Sequence, residues 1–133
     1  MFLVDTSVFT RAARPAVRST LDELATSGLS YSPLTGLELR FSASNESEWD
    51  RFADALTAYD RATVEPQDFD RADEVQRMLA RDGLKGRKPV DLVIAAQAER
   101  LELVVLHYDR DFELIAGVTN QAHKWVVPRG TID

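Results

Sequence analysis

The sequence contains no cysteine, which excludes disulfides and thiolate metal sites. It has two histidines, His107 and His123, whose separation does not match metal-ligand spacing and argues against a histidine-bound zinc. No apolar run approaches the roughly 20 residues needed to cross a bilayer. The first residues lack a basic stretch and reach Asp5 too early for a secretory leader, so a cytoplasmic protein without membrane contact is expected. A phosphate-cradling Walker loop, a Gly-rich dinucleotide fingerprint and a G-x-S-x-G elbow are all missing. Internal repeats and Gly/Ser linkers are missing too.

What is present is ordinary globular composition. The 133 residues are 44% hydrophobic and 29% charged, which fits one domain spanning 1–133. The net charge of −6 argues against a broad basic footprint for nucleic acid. A site built from carboxylates to hold divalent cations would itself supply such an excess, so the distribution of charge decides.

Short apolar runs alternate with segments of helical spacing. Residues 2–4 read as a buried strand stopped by Asp5-Thr6-Ser7, and 16–26 as a helix introduced by Pro15. Residues 29–32 alternate like a second strand, and Pro33 opens a helix through Phe41. Asn45 with Glu48 resembles a capping box, starting a helix with Trp49, Phe52, Ala53 and Leu56 on one face. A short strand is expected at 63–65, then a helix capped by Asp68, then a basic loop at 83–89. A strongly apolar helix at 90–101 precedes a buried strand at 103–106, a helix at 109–116 and a last strand at 125–127. This alternation predicts an α/β fold: a three-layer α/β/α sandwich around a mostly parallel sheet. In such a sheet the site lies at the carboxyl edge.

The acids fall where that edge would collect them. Asp5 follows the first strand and Asp109 follows the strand at 103–106. Glu38 lies about a turn into the helix after the second strand, and Asp91 lies in the first turn of the apolar helix. Asp111 stands close behind Asp109. Each has a purely structural reading: Asp5 and Asp109 as caps, Asp91 and Asp111 as charges complementing a helix dipole. Glu38, between Leu37 and Leu39, is a charge in an apolar stretch and calls for a partner. Gathered together, like charges raise one another's pKa unless a cation fills the space. Carboxylates suit Mg²⁺ or Mn²⁺, and such a site can activate water against a phosphodiester.

The stretches Leu3-Val4-Asp5-Thr6-Ser7-Val8, Leu37-Glu38-Leu39, Asp91-Leu92-Val93-Ile94-Ala95-Ala96 and Leu106-His107-Tyr108-Asp109-Arg110-Asp111-Phe112 resemble, in order, the motifs of PIN-domain ribonucleases. They are most similar to the VapC-type toxins of bacterial toxin–antitoxin pairs. The resemblance implies a Mg²⁺- or Mn²⁺-dependent endoribonuclease with Asp5, Glu38, Asp91 and Asp109 as catalytic metal ligands. It implies support from Thr6 or Ser7 and leaves Asp111 as a supporting acid or a helix-start charge. It further implies a structured RNA substrate such as tRNA or rRNA, a homodimer, and neutralisation by a VapB-type antitoxin whose C-terminal tail enters the groove.

Lys85, Arg87 and Lys88 crowd the loop before Asp91, where they are expected to hold an RNA backbone over the metal site; the alternative is a solvated loop. Arg11, Arg14 and Arg18 would extend that track if one helix carried all three. Trp49, Trp125, Phe9, Tyr31 and Phe41 read as packing or interface residues, and His107 as structural. Two other functions are weighed against the nuclease. A catalytically silent binding module is opposed by an acid at all four ligand positions. A phosphatase with an aspartyl nucleophile wants a second acid two residues on, where Ser7 stands.

Overall fold

The computed structural model describes residues 1–85 and 87–133; of the basic loop expected at 83–89, Gly86 lies outside the described residues. Five strands, β1 (Phe2–Val4), β2 (Leu29–Tyr31), β3 (Asp60–Arg61), β4 (Val104–His107) and β5 (His123–Trp125), form one sheet in the order β3-β2-β1-β4-β5. All pairings are parallel, and β1 aligns Phe2, Leu3 and Val4 with Val104, Val105 and Leu106 of β4.

The period of two along β1 and β4 sends neighbouring side chains to opposite faces. Leu3 and Val105 enter one apolar cluster with α5 (Pro66–Arg81), α6 (Pro89–Leu101) and α7 (Asp111–Thr119). Val4 and Leu106 enter a second with α1 (Thr6–Phe9), α2 (Pro15–Leu24) and the buried Val126 and Val127. Two cores separated by one sheet make the three layers expected from the sequence. Helices α3 (Pro33–Arg40) and α4 (Glu46–Leu56) pack on each other along the connection from β2 to β3. Helix α6 is apolar nearly all round because it is covered nearly all round: residues 91–98 are buried.

Chain order runs from β1 outward through β2 and β3, then returns to β4 on the other side of β1. The connections leave β1 and β4 on opposite faces, so a crevice opens outside their carboxyl ends, where an open parallel sheet binds its ligands. Asp5 follows β1 and Asp109 follows β4 at that point.

Several boundaries differ from the sequence reading for physical reasons. The third strand is Asp60–Arg61, not 63–65. The carbonyls of Ala62 and Thr63 instead accept from Gln97 Nε2 (3.0 and 2.8 Å), and that of Thr63 also from Arg100 (2.8 Å), so side chains of α6 replace a ladder neighbour. Asp68 is not the N-cap of its helix. It sits in the first turn, where its Oδ2 accepts the Glu65 N–H at 2.8 Å, capping from within. The last helix begins at Asp111 rather than Asp109, and β5 ends at Trp125. Phe41, read as packing, is 90% exposed just past the end of α3. Trp49 is exposed on α4, with the Arg40 guanidinium 4.6 Å above its ring.

Candidate metal centre

Asp5 is the N-cap of α1, and its neighbours determine which oxygen is free. Ser7 donates both its N–H (2.9 Å) and its hydroxyl (2.6 Å) to Asp5 Oδ2. The Ser7 hydroxyl oxygen also accepts the Tyr108 N–H at 2.9 Å, while the Asp5 N–H donates to the Leu106 carbonyl at 2.9 Å. The turns after β1 and β4 are thus stitched together, and Asp5 Oδ1 is left buried with no hydrogen bond among the described residues.

Asp91 lies in the first turn of α6, with Pro89 at the start of the helix and the Lys88 carbonyl accepting its N–H at 3.1 Å. Its Oδ2 is likewise buried without a partner. The helix dipole at this position favours a charged carboxylate, by typically 0.3–1 kcal/mol. Burial opposes it more strongly, joined by the negative charge of Asp5, and the Asp91 pKa is pushed up to about 8. Burial also raises the pKa of Asp5, with the charges of Glu38 and Asp109 adding to it.

Asp109 caps the start of α7 from two residues upstream: its Oδ1 accepts the Asp111 N–H at 2.9 Å. Its Oδ2 accepts from Lys88 Nζ at 3.1 Å. Behind it, the fully buried His107 accepts the Asp109 N–H on Nδ1 (3.1 Å), which leaves Nε2–H to donate to His123 Nδ1 (2.9 Å). Burial, with His123 beside it, lowers the His107 pKa to about 4 and keeps the ring neutral. The two histidines therefore brace a ligand loop, as the structural reading of His107 anticipated.

Carboxylate oxygens of Asp91, Asp109 and Asp111 lie within 4.8 Å of one another. Asp5 and Glu38 join them around one cavity of about 590 Å³, also lined by Thr6, Ser7, Lys88 and Tyr108. Glu38 stands at the open side, where Thr6 Oγ1 donates to its Oε1 at 2.6 Å and lies 3.3 Å from Thr35 Oγ1. Its apolar context does not bury it: Glu38 is exposed, and Leu37 is itself 64% exposed. All five predicted acids thus face one crevice, as do Thr6 and Ser7. Asp111 is both: it stands in the first turn of α7 and its carboxylate is one of the clustered three.

The predicted basic residues divide. Lys88 lines the cavity; Arg87 stands behind it, paired with Asp111 at 3.0 Å; the Lys85 side chain is exposed and only its carbonyl is engaged, by Arg87. The Arg11–Arg14–Arg18 track is not continuous, because α1 stops at Phe9 and α2 starts at Pro15. Arg11 nevertheless lines the cavity, donating to the Ser7 carbonyl at 2.8 Å, and Arg110 lines it too. Sequence reasoning passed over Arg110 and Tyr108, although both sit inside the acidic motif around Asp109.

Two buried, orphaned carboxylate oxygens beside two further acids are costly without a cation. The oxygen-only donor set fits a small, hard divalent ion such as Mg²⁺ or Mn²⁺. Ser7→Ala should weaken Mn²⁺ binding by about 10–100-fold, the usual cost of removing a group that orients a ligand, measured by calorimetry beside a thermal melt.

Comparison with known proteins places this geometry. The PIN-domain model matches residues 2–118. The chain belongs to the PIN-domain family. Within it, the chain is 49% identical over 133 residues to Ribonuclease VapC51 of Mycobacterium tuberculosis, covering 99% of this chain and 97% of that protein. It is 41% identical to Ribonuclease VapC18 of the same organism over 136 residues, covering 99% of both. Among solved structures, the DNA-bound VapBC from Salmonella typhimurium superposes with a TM-score of 0.75 at 25% identity, covering 95% of this chain and 98% of that one. None of this chain's helices is long and apolar enough to cross a membrane among the described residues.

Proposed function

We propose that this PIN domain is a Mg²⁺- or Mn²⁺-dependent endoribonuclease, the toxin of a toxin–antitoxin pair. The observation that carries the reading is the pair of orphaned oxygens, Asp5 Oδ1 and Asp91 Oδ2, buried beside Asp109 and Asp111. Asp5, Asp91, Asp109 and Glu38 would hold the divalent cation, which would supply neutralisation of phosphoryl charge and acidification of water.

The chain's own residues do the rest. Ser7 fixes the rotamer of Asp5, and the neutral His107 fixes the loop of Asp109. Thr6 engages one oxygen of the exposed Glu38 and orients its carboxylate at the cavity. Arg11, Lys88 and Arg110 give the rim a positive charge that offsets the acidic interior and holds phosphates of the backbone. A structured RNA, such as tRNA or rRNA, is the substrate class. A VapB-type antitoxin restrains the activity, a reading supported by the likeness to a VapBC assembly. The exposed Leu37 and Phe41 offer apolar contact for partner chains, the antitoxin and a second copy in a homodimer.

Incubation of antitoxin-free protein with total cellular RNA and Mn²⁺ tests this, followed by mapping of product ends. Discrete cuts with 5′-phosphate and 3′-hydroxyl ends, lost in EDTA, are expected, because the nucleophile is an external water. Products ending in a 2′,3′-cyclic phosphate, or cuts that persist in EDTA, would contradict the mechanism.

A further inference from the structure

Lys88 occupies an unusual position in this site. Its backbone is fixed: it is the N-cap of α6, directly before Pro89, with its carbonyl accepting the N–H groups of Asp91 (3.1 Å) and Leu92 (3.3 Å). Its side chain is not fixed in the same way. It is 64% exposed along a flexible four-carbon stem, and its ammonium reaches across the crevice to Asp109 Oδ2 at 3.1 Å. Lys88 shares one cavity with the carboxyl groups of Asp91, Asp109 and Asp111 and is paired with Asp109. Arg87 differs, being 20% exposed and anchored twice, on Asp111 and on the Lys85 carbonyl. Of the loop's three cations, Lys85 is exposed but does not line the cavity, Arg87 is held in place, and among the described residues only Lys88 both lines the cavity and is free to swing.

We propose that Lys88 is an internal counter-ion that neutralises the carboxylate cluster before metal binds, then moves to the substrate backbone when a divalent cation takes its place. The proposal rests on the metal-dependent nuclease reading above. A dication on Asp109 competes with the ammonium for the same carboxylate charge, and the two positive charges repel across a few ångströms. The displaced ammonium stays tethered at residue 88, on the cavity rim, where a phosphate beside the cut must lie. The same side chain thus competes with metal and cooperates with RNA. Metal binding therefore raises RNA affinity, and by linkage RNA raises metal affinity to the same degree.

Opposite signs in a single variant make this testable. Lys88→Met keeps the stem and removes the charge. It should bind Mn²⁺ about two- to fivefold more tightly by calorimetry, the scale of one partly exposed ion pair, while Lys88→Arg stays near the wild type. With a short fluorescein-labelled RNA, checked on a gel to be intact, Lys88→Met should bind more weakly than wild type in Mn²⁺. Its log–log salt slope should be shallower by about 0.7. In EDTA the two proteins should bind that RNA alike, because Asp109 then engages Lys88. Unchanged or weaker Mn²⁺ binding by Lys88→Met would overturn the proposal, as would an equal loss of RNA affinity in Mn²⁺ and EDTA. Failure of the wild type to bind Mn²⁺ at all would instead remove the nuclease reading beneath it.

Discussion

Asp91→Asn should lower RNA cleavage by about 10²–10⁴-fold, the rate equivalent of several kcal/mol of charge stabilisation, while making the metal-free protein more stable at neutral and alkaline pH. The two effects share one cause. Asp91 is 4% exposed, and its Oδ2 has no partner among the described residues, so its charged form is tolerable only beside a cation. Without one, the folded protein keeps the Asp91 proton up to about pH 8, whereas the unfolded chain loses it near 3.8. Across that interval Asp91 binds one proton more in the folded state than in the unfolded state, and its contribution to the stability of the metal-free protein falls as pH rises, at up to about 1.4 kcal/mol per unit. His107, with its pKa lowered from 6.5 to about 4, contributes the opposite slope over the lower part of that interval, so the net fall appears between about pH 6.5 and about pH 8 and then levels off.

Asparagine copies the protonated acid and removes this slope. Urea melts in EDTA between about pH 6.5 and about pH 8 would show a flatter profile for Asp91→Asn than for wild type. Metal reverses the sign, because it needs the carboxylate: Mn²⁺ affinity of the wild type should climb toward pH 8. A wild-type protein whose EDTA melts were flat from about pH 6.5 to about pH 8 would contradict the burial argument.

The second large effect lies far from the crevice. Arg100→Ala should destabilise the fold by about 3–5 kcal/mol, the usual cost of stranding one partner of a buried ion pair. Asp68 is 1% exposed and accepts from Arg100 Nε at 2.8 Å and Nη2 at 3.0 Å. Burial alone would raise the Asp68 pKa. The hydrogen bonds from Arg100 and the Glu65 N–H outweigh it, and the pKa ends below the ordinary carboxylate value. That lowered pKa contributes stability above the unfolded value, lost as pH falls through the folded one. Arg100 also serves the Thr63 carbonyl, so its loss loosens the entry to α5. The measurement is a urea midpoint at pH 7, where Asp68→Asn, which keeps a side chain for Arg100 to donate to, should lose less. Equal loss in the two variants would count against a stranded charge as the cause.

The parts of the site legible in the sequence are those whose placement is set locally. Asp5 and Asp109 follow short apolar strands, so a parallel sheet carries both to one edge whatever else the chain does. Asp91 follows a proline at a helix start, which fixes its place in the first turn. Residues 63–65 show why other parts were not legible. Their β-prone composition suggests a strand, but the Thr63 carbonyl is taken by Gln97 and Arg100, more than 30 positions away, and the Glu65 N–H by Asp68. The actual strand, Asp60–Arg61, is two polar residues defined only by pairing with Ser30 and Tyr31. The His107–His123 bond likewise depends on the β4–β5 register, in which Val105 aligns with His123. The basic loop was visible as charge. Its engagement of Asp109 and Asp111 was not, because that depends on where α6 starts relative to α7.

The claim that this crevice holds a divalent cation on two otherwise orphaned oxygens is tested most directly by anomalous diffraction from crystals of the antitoxin-free protein soaked in Mn²⁺. The account predicts a peak within coordination distance of Asp5 Oδ1 and Asp91 Oδ2, with Asp109 beside it, and no such peak in Asp91→Asn. A crevice without anomalous signal in well-diffracting, soaked wild-type crystals, or a Mn²⁺ bound away from both oxygens, would contradict it.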